Sequence, residues 1–317
     1  MSRAEAPASD RARTLVRGTF DLHVHSGPDV MPRKIDDSTL ALRFRDRDLA
    51  GFLIKSHYVP TAERARIARE IVPEVITLGA ITLNSSVGGL NPLAVEIAAR
   101  EGASLVWMPT VDSRREAELH SNPNLEDQQP FWARLQQELR DKGVDSPTVD
   151  VTDSTGSLLP QSRAVLQTVA EYDMILATGH LGRDEIFAVV EAAIEEGVRR
   201  IVITHPDFPS QDLSVKDQAE LATRGALLER CFVTAYTGKV GWGELIERIR
   251  ATGPEHSFLS SDLGQPDNPA VEEGLALMAD RLIAGGVSDD EIVRMAVENP
   301  ARLVRGANGW PIANSDS

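Results

Sequence analysis

The sequence predicts an α/β protein built as a (β/α)8 TIM barrel with an insertion after the fourth strand. Eight short runs rich in Val, Ile, Leu and Thr recur along the chain, each followed by turn residues and then by a segment with helical spacing. Their start-to-start distances are 24 to 32 residues, apart from one of 70. A strand, a loop and a returning helix together need about 30 residues, so each ordinary interval holds one βα unit. The runs are almost continuously apolar, as strands covered on both faces are.

Residues 1–17 are polar and alanine-rich and are expected to form a flexible segment before the barrel, which spans 18–306. The first strand is placed at 19–25 (TFDLHVH), the second at 51–57 (GFLIKSH) and the third at 75–83 (VITLGAITL). Asn91 and Pro92 then supply an N-cap and a first-turn proline for the helix LAVEIAAR. The fourth strand, 103–109 (ASLVWMP), precedes the insertion at about 110–160, which is too long for one crossover and too polar to be all core. A lid over a site, a solvated excursion and a contact in a homo-oligomer are its three readings. The remaining strands are placed at 173–179, 199–205, 230–236 and 256–262. Asp184 starts the helix EIFAVVEAAIEEG, whose Gly197 suits a C-terminal cap, and Asp289 and Asp290 lead EIVRMAVEN, which Pro300 disturbs. Residues 307–317 read as a tail, and no linker or repeat marks a second domain.

Composition narrows the partners. With 42% hydrophobic and 26% charged residues, the 317-residue chain is an ordinary globular one. Its formal charge of −15 repels phosphate backbones and anionic lipid surfaces, which argues against nucleic acid. The lone Cys231 cannot make an intrachain disulfide and sits in an apolar run that suits an inert core thiol. No apolar run reaches the roughly 18 residues of a membrane span, and the start lacks the apolar stretch of a secretory signal. A cytoplasmic enzyme or binding protein for small molecules is the expectation.

The chemistry is expected at the strand ends. His23 and His25, two apart on an extended segment, point to one face and are followed at once by the turn SGPD. His180 follows MILATG, His205 closes RIVIT, and Asp262 closes HSFLSS, each at a strand's C-terminal end, where barrels carry their active sites. Four imidazoles and a carboxylate at one mouth can hold a borderline divalent ion such as zinc with a position left open. The competing reading is a set of unrelated rim histidines bonded to backbone carbonyls.

DLHVH, TGH, ITHPD, SSD and a late NPARL together resemble the amidohydrolase superfamily of metal-dependent hydrolases, across about residues 19–306. The resemblance implies that His23, His25, His180 and His205 ligate metal and that Asp262 both ligates and shuttles the proton. Many binuclear members bridge their ions with a strand-four carboxylated lysine or glutamate, whereas SLVWMPTVD has no lysine there. Lys55 on the second strand could substitute as a carbamate between two ions, its other readings being a substrate contact and a structural ion pair; if no residue bridges, the site holds one ion. A buried strand lysine is costly unless paired or modified, which favours a role for it. Asp112 is a weaker substitute, read chiefly as a solvated loop acid.

His57 shares parity with Lys55 and is a candidate substrate contact, as are Arg33, Lys239 and Asn84 on the rim loops. Arg33 and its neighbour Lys34 suit an anionic substrate group. His120 and His256 read as structural or exposed, and GGLNP lacks the setting of a nucleotide loop. The expected reaction is hydrolysis of an amide, cyclic amide, ester or lactone by metal-activated water. The alternatives are a mononuclear decarboxylase or lyase of the same superfamily, a metal-dependent phosphoesterase, and a non-catalytic barrel with a structural metal.

Overall fold

The computed structural model describes residues 7–120, 131–144, 146–211 and 213–305. Eight parallel strands follow one another around a single sheet in chain order: β1 (Phe20–Val24), β2 (Gly51–Ile54), β3 (Ile76–Thr82), β4 (Ala103–Trp107), β5 (Ile175–Ala177), β6 (Ile201–Ile203), β7 (Leu227–Cys231) and β8 (Ser257–Ser260). The seam between β8 and β1 is made by the residues just after β8, where the Asp262 amide donates to the His23 carbonyl at 2.9 Å and the His25 amide to the Leu263 carbonyl at 2.8 Å. The result is the (β/α)8 barrel that the spacing predicts.

Alternate residues fill the interior: Leu22, Leu53, Leu105, Ile175, Val202 and Phe258 form one apolar cluster, while Phe52, Ile54, Val106 and Leu176 face the helix layer in two others. The β1 ladder is irregular between Asp21 and Val24. Leu22 joins the interior cluster there, and the next residue, His23, also reaches inward to within 5.4 Å of the Trp107 ring, as a bulge allows.

Four local expectations need amendment or completion. The segment before the barrel is not loose where it is described: Asp10–Leu15 is a helix capped by the Ser9 hydroxyl, and Ala8, Ala12 and Val16 are buried in the core. Its alanines, read as a sign of fraying, are small residues that let this helix lie close. Residues 307–317 lie outside the described residues. The seventh strand begins at Leu227 rather than at 230, and Phe232–Tyr236 is a short helix. Periodicity cannot separate a short apolar strand from a buried helix, and the charged pair Glu229–Arg230 disguised the true strand. In the insertion, the described residues include helices Arg114–His120 and Phe131–Asp141, while 121–130 and 145 lie outside the description.

The capping signals hold at Asn91, whose side chain accepts from the Leu93 and Ala94 amides. Pro300 acts as expected: a π-helical turn, Arg294–Glu298, precedes it, and the Ala296 carbonyl, left free by the missing proline N–H, accepts the Thr19 hydroxyl. No described helix is long and apolar enough to cross a membrane.

Candidate metal centre

Five imidazoles form a ring in the barrel mouth. Their centroids are separated by 5.4 Å for His23–His25, 5.2 Å for His25–His57, 5.9 Å for His57–His180, 4.9 Å for His180–His205 and 6.0 Å for His205–His23. Asp262 meets two of them, its Oδ1 lying 3.1 Å from His23 Nε2 and 3.2 Å from His25 Nε2. Lys55 enters from β2 with Nζ 2.9 Å from His23 Nε2 and 4.9 Å above the Trp107 ring. Trp107 thus occupies the strand-four place where the sequence offers no bridging group. His205 and Asp262 are held at φ 26° and 53°, a costly left-handed backbone that aims side chains where the strand direction would not.

The hydrogen bonds behind the ring set which nitrogen of each imidazole is free. His23 Nδ1 donates to Glu229 Oε1 at 2.9 Å, and His25 Nδ1 donates to the Lys55 carbonyl at 3.1 Å. Gln211 donates its Nε2 to the Gly179 carbonyl, so its Oε1 is left to accept His205 Nδ1 at 3.2 Å. His23 and His205 therefore carry their proton on Nδ1 and keep the Nε2 lone pair for a ligand, the arrangement found behind metal-bound histidines, while His25 Nδ1 stands between the Lys55 carbonyl and the Arg33 guanidinium. His57 Nδ1 pairs with the Thr110 hydroxyl at 2.9 Å. Glu116 Oε1 lies 3.0 Å from His180 Nδ1, off the line of a good hydrogen bond. Burial pushes His23 and His205 down to about 3, and His25 and His57 well below the usual imidazole range, so the rings are neutral as ligation requires. Burial also lowers the Lys55 amine. By donor type, tautomer and charge, these residues fit a divalent ion.

Ligand atoms of His23, Cys231 and Asp262 also lie within 4.8 Å of one another. Burial raises the Cys231 thiol, whose sulfur sits 3.2 Å from the Ser260 hydroxyl, so this third group is a poorer ligand than the His25 imidazole.

The other candidates divide. Arg33 is not a solvated cation: its side chain is 4% exposed, bonds Asp29 at 2.6 Å and packs 3.2 Å from His25 Nδ1. Lys34 is exposed. Lys239 is exposed and lies 5.7 Å from the Phe208 ring, which in turn lies 5.1 Å from the ring of His205. Asn84 is fully buried with its amide hydrogens given to the His57 carbonyl and the Thr110 hydroxyl, making it a strut between rim loops. Asp112 is a correction. It is buried rather than solvated, and it accepts from the Ser85 amide, Gln136 Nε2 and the Ser146 hydroxyl, tying the insertion to the loop after β3. A cavity of about 740 Å³ opens beside it, lined by Tyr58, Ser85, Asp112, Gln136 and Val149 among others. His256 is part-exposed, and the side chain of His120 lies outside the description. Sequence reasoning missed Glu229, Gln211 and Glu116, which stand behind the imidazoles and carry no motif of their own.

The sequence profile of a family of unknown function (DUF6282) matches residues 18–229. No curated protein matches the chain in sequence. Among solved structures, the chain is similar to an amidohydrolase from Pseudomonas aeruginosa (TM-score 0.59, 12% identity, covering 95% of this chain and 98% of that one). It is similar to a phosphotriesterase homology protein from Escherichia coli (0.58, 12%, 90% and 98%). It is also similar to a mutant organophosphorus hydrolase from Deinococcus radiodurans (0.54, 14%, 95% and 98%). At these identities the likeness is one of fold.

Proposed function

The chain belongs to the DUF6282 family, and from that premise we propose that it is a metal-dependent hydrolase of a small substrate's amide, cyclic amide or ester bond. The single observation that carries this reading is the convergence of His23 Nε2 and His25 Nε2 on Asp262 Oδ1, with His23 Nδ1 committed to the Glu229 carboxylate. His23, His25, His180, His205 and Asp262 would hold the ion, with zinc the best match to imidazole and carboxylate donors. Such an ion, when bound, lowers the pKa of water to about 7 and polarises the carbonyl under attack. The solved barrels named as hydrolases add support at the level of fold.

The chain's own residues would do the rest. Asp262, part-exposed at the mouth, takes the water's proton and returns it to the leaving nitrogen or oxygen. Lys55, its amine lowered by burial and its Nζ beside His23, is the group to be carboxylated by carbon dioxide if two ions bind. Lys239, exposed on the rim, would face an anionic substrate group, whereas Arg33 is already paired with Asp29. The test is elemental analysis of protein purified without chelator, followed by turnover of a panel of amides, lactones and esters with and without metal. Stoichiometric metal and metal-restored turnover are expected. A chain that takes up no divalent ion would refute the proposal.

A further inference from the structure

Strand β7 supplies none of the expected ligands, yet one of its side chains touches both ends of the ligand set. Glu229 is 2% exposed, in the barrel interior. Its Oε1 accepts from His23 Nδ1 at 2.9 Å and from the Ser260 hydroxyl at 2.9 Å, and its Oε2 accepts from the backbone amide of His205 at 3.0 Å. That amide belongs to the residue held at φ 26°. A single carboxylate therefore fixes the ring proton of a first-strand histidine and the strained backbone of the sixth-strand one.

We propose that Glu229 is the positioning residue that couples His23 and His205, presenting His23 Nε2 and the His205 ring to the metal together. The proposal rests on the metal-centre reading above. Three donors converge on this side chain, and an ionised carboxylate accepts all of them. A glutamine of the same shape cannot. With its carbonyl on the His205 amide it turns an NH2 group toward His23, which must then offer Nδ1 as acceptor and carry its proton on Nε2, the nitrogen needed for the ion. Losing a carboxylate behind a ligating histidine typically costs 10- to 100-fold in metal affinity. Because a glutamine keeps the shape and can still bond His205, His23 and Ser260, the metal-free fold should stand.

The experiment uses the full chain and zinc as probe. The ring 15N spectrum of metal-free wild type should show His23 with its proton on Nδ1, and Glu229→Gln should move it to Nε2. Calorimetry should show zinc binding weakened about 10- to 100-fold in Glu229→Gln, with an unchanged metal-free melting temperature. Wild-type affinity and an unmoved proton in the variant would overturn the proposal, as would a wild-type His23 protonated on Nε2. If Glu229→Gln fails to fold, the wild-type spectrum alone decides. A wild type with the Nδ1 tautomer that binds no zinc would sink the metal reading while leaving the orienting role of Glu229 intact.

Discussion

Two buried polar clusters lie back to back on β7, and they are finished differently. Behind the strand, Arg230 is fully buried and every guanidinium nitrogen is bonded: Nη1 to both Asp207 oxygens and to Gln218, Nη2 to Thr252, Nε to Ser257. In front, toward the mouth, valences are left open. His25 Nε2 has only the carboxylate it shares with His23 Nε2, the latter also met by Lys55 Nζ, and Asp21 Oδ2 and Trp107 Nε1 have no partner. A buried ion pair that serves the fold saturates its hydrogen bonds, because each unmet one is costly. A cluster that is to take an ion must hold some back.

Substitutions on the two sides should separate activity from stability. On the mouth side, Asp262→Asn is expected to lower kcat by about 10²- to 10⁴-fold with little change in melting temperature; equal loss of both would break the contrast. On the shell side, Arg230→Met removes the buried partner of Asp207 and leaves it only Arg248, at 3.3 Å, and Gln218, which should cost up to about 3–5 kcal/mol in denaturant unfolding. Replacing Asp207 by Leu as well should recover part of that loss, since an apolar pair can stand in for a buried ionic one.

Acid distinguishes the clusters next. His23 and His205 resist protonation down to about 3 in the fold, whereas the unfolded chain takes protons near 6.5. These two rings should therefore contribute fully above about pH 6.5 in the metal-free protein and cost about 1.4 kcal/mol per pH unit each as pH falls below it, offset in part by Asp21, whose carboxyl burial raises to about 7. A flat melting temperature from pH 7 to pH 5 would contradict the buried neutral ring. The smallest effect is expected at the rim, where Asp112→Ala should cost about 1–3 kcal/mol locally. It should show as faster proteolysis within 110–160, with the barrel's own transition unmoved.

The part of the site that the sequence discloses is the part that sits on strand ends. His23, His25, His180, His205 and Asp262 each close an apolar run before a turn, so strand period and turn chemistry locate them without coordinates. Lys55 and His57 were legible by parity alone. What stands behind them was not. Glu229 and Arg230 are charged neighbours in a strand, a pattern that reads as solvated surface, and it drew the predicted strand three residues toward the helix Phe232–Tyr236. Gln211 and Glu116 come from a 3-10 turn and an insertion helix, whose approach to the mouth is a matter of tertiary packing. Asp112 looked like a loop acid because nothing local announces that the insertion folds back upon it.

The seam of the barrel and the heart of the site are the same few bonds, since Asp262 and Leu263 stitch β8 to the backbone of His23 and His25. A chain emerging from the ribosome in order holds most of its imidazoles long before it can use them. Until the last strand arrives there is neither a finished wall nor a carboxylate to work with, so a metal trapped early would meet a half-built nest. Completion of the enclosure and onset of competence are thereby made one event.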